Sequence, residues 1–156
     1  MNVTIDVDDA AWGAVADLEA LTRQAVAATL DRLGLSHGEM EASILFTGDA
    51  EMAALNRRWR GKDGPTNVLS FPAEEITAPA GEARPIGDIV LAAGTVARES
   101  AEQAKRIPDH MAHLVVHGLL HLLGYDHEDD AEADAMEALE IEVLDRLGIG
   151  NPYDRH

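Results

Sequence analysis

The chain opens on an alternation. Val3, Ile5 and Val7 fall on one side of residues 2–7, the period of a half-buried strand. The period then lengthens. Ala14, Leu18, Leu21, Ala25 and Ala28 recur at helical spacing across residues 10–33, and Gly34 stops that helix. Ala42 to Thr47 reads as a second strand. Gly48 and Asp49 open the next helix, with Asp49 as its N-cap. Met52, Leu55 and Trp59 give this helix a buried stripe, and a Met and a Trp at that spacing read as core rather than as a platform for stacked bases. Gly61, Gly64 and Pro65 mark a tight loop before a third strand, Val68 to Phe71. Residues 73–86 carry Pro79, Gly81 and Pro85 without periodicity, a long loop that is either mobile or a lid over a groove. A fourth strand, Ile86 to Ala92, is expected to pair with the third around that loop.

Thr95 to Arg106 is predicted helical, and Pro108 separates it from a helix over 109–123. That second helix is apolar on nearly every side and should be central and buried. Residues 128–147 close the pattern. Met136, Leu139, Val143 and Leu147 form the inner stripe, and nine acids from Glu128 to Asp145 read as a solvated face. The sum is an α+β domain, a small mixed sheet of about four strands with about five helices. No repeat or linker interrupts residues 1–156, so one domain is expected.

Composition narrows the class. With 46% hydrophobic residues the chain can build a core and is far from a disordered composition. It has no cysteine, which fits a reducing cytosol and excludes thiolate metal ligands. The acidic start, Met1 to Asp9, has no signal-peptide pattern, and the apolar run from Ala112 to Leu123 is too short to span a bilayer. The expectation is a soluble cytoplasmic protein with no membrane partner.

Net charge is −17, from 12 basic and 29 acidic residues, which taken alone argues against nucleic acid. Distribution changes that picture. Arg57, Arg58, Arg60 and Lys62 are a third of all basic residues, within six positions that hold no acid. A local cationic groove on an acidic body can bind phosphate while the remainder repels stray RNA.

The candidate chemistry lies in His117-Gly118-Leu119-Leu120-His121-Leu122-Leu123-Gly124-Tyr125-Asp126-His127. His117 and His121 stand one helical turn apart and leave the same face. Gly124 can end the helix in a left-handed cap and bring His127 back toward them. Three neutral imidazoles with one position open is how a catalytic zinc is held. The same spacing marks a large group of zinc proteases whose second position is Glu, the general base for peptide hydrolysis. Here that position is Gly118, so the metal cradle is present without the protease base.

These residues resemble a known family. The histidine motif is similar to that of the bacterial YbeY proteins, as is the block Leu55-Asn56-Arg57-Arg58-Trp59-Arg60-Gly61-Lys62-Asp63-Gly64-Pro65-Thr66-Asn67-Val68-Leu69-Ser70-Phe71-Pro72, and Gly87-Asp88-Ile89 matches a third element. Together they span residues 40–147. The resemblance implies a zincin-like, single-domain, zinc-dependent endoribonuclease acting on single-stranded RNA. It also implies a part in maturing the 3′ end of precursor 16S rRNA and in ribosome quality control, with the small ribosomal subunit or its assembly proteins as partners. His117, His121 and His127 fall on the family's ligands for one zinc ion, and Arg60 on the arginine needed for activity. The family often has Tyr or Phe where this chain has Trp59.

A mechanism follows as an expectation. Zinc activates water or binds phosphate, Arg60 clamps the phosphate with its planar fork of donors, and Arg57, Arg58 and Lys62 track the RNA backbone. His113, one turn before His117, either shuttles protons, supports a ligand or is simply packed. Asp126 either orients a ligand imidazole or caps the turn. His37, His110 and His156 receive no role. Two other classes stay open: a ribosome-assembly factor with a mainly structural zinc, and a zinc hydrolase of another phosphoester.

Overall fold

The computed structural model describes residues 1–35, 40–73, 83–126 and 128–154. Four strands form one mixed sheet: β1 (Asn2–Val7), β2 (Met40–Thr47), β3 (Val68–Pro72) and β4 (Arg84–Ala92), in the order β1-β2-β4-β3. β1, β2 and β4 are mutually parallel, and β3 runs antiparallel to β4 at the edge. Five α-helices accompany the strands among the described residues: α1 (Leu18–Leu33), α2 (Asp49–Arg60), α3 (Ala93–Glu102), α4 (Ile107–Leu122) and α5 (Asp130–Arg146). The expected α+β class, strand pairing and central helix are all present. None of the described helices is long and apolar enough to cross a membrane.

The sheet's two faces are covered unequally. Ile44, Phe46, Ile89 and Leu91 on one face join α1, α4 and α5 in the main core, where Val115, Val116 and Leu120 of α4 are fully buried. Among the described residues the opposite face carries α2, over a small cluster of Met52, Leu69, Val90 and Ala92. Alternation decides the sides on β3. Leu69 and Phe71 turn to α2, while Val68 packs with the main core and Ser70 reaches α4.

Three local expectations fail, each for a visible reason. The single helix over 10–33 is broken. Residues Ala10–Ala14 form a 3-10 turn and Asp17 takes a left-handed conformation (φ 57°) before α1. The break lets Trp12 turn inward, its indole N–H donating to Thr47 O at 2.8 Å and its ring meeting Phe46 edge-on. Asp49 does not cap α2, whose N-cap is Gly48. It accepts instead from Thr95 N at 2.9 Å, in the first turn of α3, and from Arg98 at 3.1 Å. Burial pushes its carboxyl up, but the Thr95 and Arg98 contacts outweigh this and hold it below the usual carboxylate range. Trp59 is not core. It is 60% exposed, because the last turn of α2 runs past the edge of the small cluster it covers.

Candidate active site

α4 carries four described histidines, and their environments sort them. Pro108 stands in its first turn, where a missing N–H costs nothing. Gly124 follows its end at φ 98°, with Gly124 N donating to His121 O and Tyr125 N to Leu120 O. The predicted cap is therefore present, and the turn brings Tyr125 and Asp126 to the same groove as His117 and His121. His127 lies outside the described residues.

His117 and His121 face each other through their Nε2 atoms at 3.1 Å. His117 Nδ1 lies 2.9 Å from Glu140 Oε1. An ionised carboxylate only accepts, so Nδ1 must carry the proton and Nε2 keeps its lone pair toward the groove. The separation of the two Nε2 atoms is close to the edge of a zinc-centred tetrahedron, about 3.3 Å for Zn–N bonds of 2.0–2.1 Å. Donor type, tautomer and spacing thus fit a zinc ion at this pair.

Glu140 was missed by sequence reasoning, which placed it among the solvated acids of the last helix. It is 1% exposed. Its Oε1 accepts from His113 Nε2 at 2.8 Å as well as from His117, and its Oε2 accepts from the Tyr153 hydroxyl at 2.9 Å. Burial pushes this carboxyl up, but the hydrogen bonds and charge of His113 and His117 prevail and hold it down to about 2. Burial, then the neighbouring Glu140, pushes the Tyr153 hydroxyl well up, so it stays a donor. A signal for Glu140 did exist. It sits four residues after Met136 and three before Val143, on the apolar stripe rather than across from it. Tyr153 lies beyond the last helix, where no periodicity marks it.

His113 is therefore a support for the carboxylate that holds His117, through a ring 8% exposed. His110, given no role, is buried too, with Nε2 2.9 Å from Glu99 Oε1. Burial, only partly offset by Glu99, lowers its pKa.

The groove before His117 and His121 has a volume of about 670 Å³ and is also lined by Arg60, Lys62 and Asp126. Arg60 ends α2, where Gly61 (φ 64°) turns the chain. Its Nη2 donates to Ser70 O at 2.6 Å, which fixes the fork against β3. Asn56 pins the following loop by donating to Gly64 O at 2.9 Å. Arg57 and Arg58 do not enter the groove but line a separate hollow beside α2. Gly118 packs on the sheet. A Cβ there would stand 3.0 Å from Ile89 Cγ2 and 3.1 Å from Ser70 Oγ, and Ser70 Oγ donates to Gly118 O at 3.1 Å.

Fold and groove define a class first, an α+β domain whose buried helix offers paired imidazole nitrogens to a cleft edged with cations. The chain belongs to the family described as Endoribonuclease YbeY, whose model matches residues 5–148. Proteins named Endoribonuclease YbeY are similar along nearly the whole length. One from Bartonella bacilliformis is 46% identical, covering 98% of this chain and 97% of its own. One from Dinoroseobacter shibae is 50% identical, covering 98% and 91%, and one from a Chelativorans species is 52% identical, covering 91% and 86%. A solution structure from Thermotoga maritima shares the fold with a TM-score of 0.58, at 22% identity over 98% of this chain and 99% of that one.

Proposed function

We propose that the protein is a single-strand-specific endoribonuclease that uses one zinc ion held by His117, His121 and His127, and that it acts on precursor 16S rRNA near its 3′ end and in ribosome quality control. Family membership supports the endoribonuclease part. The observation that carries the chemistry is the pair of Nε2 atoms 3.1 Å apart, opening on a groove that Arg60 and Lys62 also line. The motif resemblance supports zinc, the ribosomal substrate and the small subunit or its assembly proteins as partners.

Bound there, zinc would supply a Lewis acid for a phosphoryl oxygen and a nucleophile available at neutral pH. The residues do the rest. Glu140 holds the His117 ring in one tautomer and orientation, as a carboxylate behind a ligand imidazole does. Arg60, already anchored on Ser70 O, turns its remaining donors to the non-bridging oxygens, whose charge grows in the transition state. Lys62 attracts the backbone on one side. Gly118 contributes no base, so this position of the helix holds no proton acceptor.

The test is cleavage of a defined single-stranded RNA by metal-stripped protein with zinc added back. Activity should return with zinc, and Arg60→Ala should lose it while still binding the metal. Cutting at the wild-type rate by Arg60→Ala would remove Arg60 from the mechanism, and cutting without metal would remove zinc.

A further inference from the structure

Trp59 is the most exposed large hydrophobic side chain among the described residues, at 60%. An indole left in water forgoes its burial energy and presents a π face to solvent. Its surroundings are specific. The Arg58 guanidinium lies 5.1 Å from the ring centroid, and Phe71 meets it edge-on with centroids 6.4 Å apart. The Arg60 guanidinium in turn lies 5.5 Å from the Phe71 ring. Arg60 borders both the histidine groove and a second hollow, of about 690 Å³, that contains Trp59 and Phe71. The phosphate-binding side chain therefore sits on the ridge between the metal-facing groove and an aromatic surface.

We propose that Trp59, backed by Phe71 and Arg58, is a stacking platform for one unpaired base of the RNA whose phosphate lies at Arg60. The proposal rests on the RNA reading given above and adds a base subsite to it. Aromatic rings beside cations are how proteins hold single strands without reading sequence. The hollow's acids fix which part of the nucleotide enters. Asp6, Glu51 and Asp88 line it, and they repel a phosphate but not a neutral base. Two guanidinium groups, Arg58 at the Trp59 ring and Arg60 at the Phe71 ring, stand beside the aromatic pair and draw the phosphates to that side.

The chain supplies its own reporter. It has two tryptophans, and Trp12 is 2% exposed with its N–H on Thr47 O. Quenching of emission when a defined single-stranded RNA is mixed with the full, zinc-loaded chain therefore reads Trp59. Trp59→Ala should abolish the quench and raise KM roughly tenfold with little change in kcat. Trp59→Tyr should restore KM. Trp59→Leu, equally apolar but without a π face, should behave as the Ala variant. An abasic nucleotide at the stacked position should reproduce the Ala loss in wild type and add nothing to it in Trp59→Ala. If wild type cuts RNA but shows no quench, and Trp59→Ala keeps its KM, the subsite is overturned and the ring belongs to a protein partner. A wild-type KM in Trp59→Leu overturns stacking in favour of plain apolar contact. If wild type neither binds nor cuts RNA, the functional reading itself has failed.

Discussion

His110 and His113 stand early on α4, and His117 and His121 stand later on the same helix. In the first two, Nε2 is held at a carboxylate, Glu99 or Glu140, and the ring is buried. Their Nδ1 atoms are enclosed and have no hydrogen-bond partner among the described residues. In His117 the ring is bound the other way round, with Nδ1 on Glu140 and Nε2 turned to His121 and the groove. One residue type on one helix thus yields a structural pair and a ligand-ready pair. Between His113 and His117 the difference lies in which nitrogen meets the acid. Glu140 serves both sides, since a single oxygen accepts from His113 and from His117.

The largest test of this contrast is removal of Glu140. Glu140→Ala strips three donors, on His113, His117 and Tyr153, of their buried acceptor, and truncating one side of such a network costs roughly 3–5 kcal/mol. Tm should fall by about 10 °C for a chain of this size, read by thermal denaturation. The same group predicts an acid transition in the metal-free protein. Its folded pKa, about 2, is below the ordinary 4.5, so the ionised form stabilises the fold above pH 4.5 and that contribution is lost as pH falls toward 2. The loss amounts to about 3 kcal/mol. Denaturant titrations across this range should show the slope in wild type and a shallower one in Glu140→Gln.

Next come the histidines themselves. His113→Ala should destabilise by roughly 1–3 kcal/mol, through a cavity and a lost donor. His121→Ala, at a half-buried ring on the groove, should stay within about 1 kcal/mol of wild type while losing zinc and RNA cleavage. Global unfolding of His121→Ala would make the metal structural and erase the distinction between the pairs. The smallest effect is expected from Tyr153→Phe. Removing one donor to Glu140 should cost about 1 kcal/mol and weaken zinc binding less than loss of Glu140 does, measured by chelator competition.

Much of this was legible in the chain. Strand alternation, the apolar helix and the histidine spacing are local patterns, and they located the sheet, α4 and the paired imidazoles of His117 and His121. What was lost depended on contacts distant in sequence. Glu140 lies 23 residues from His117, and counting acids on α5 hid the one that faces inward. Trp59 has the spacing of a core residue, but helical periodicity cannot say that the cluster under α2 is small and that the helix ends beyond it. Asp49 sits where an N-cap belongs, yet the start of α3 lies close enough to take its carboxylate. The basic cluster was read as one tract, whereas the helix parts it between groove and hollow.

Gly118 has a consequence that reaches past its own turn. Even a Cβ there would press on Ile89 and Ser70 at 3.0 and 3.1 Å, so any side chain introduced at 118 requires those two neighbours to give by a few tenths of an ångström. An acid at this position therefore comes only with repacking of the seam between α4 and the sheet edge, and the groove as it stands suits substrates that need no acid from there.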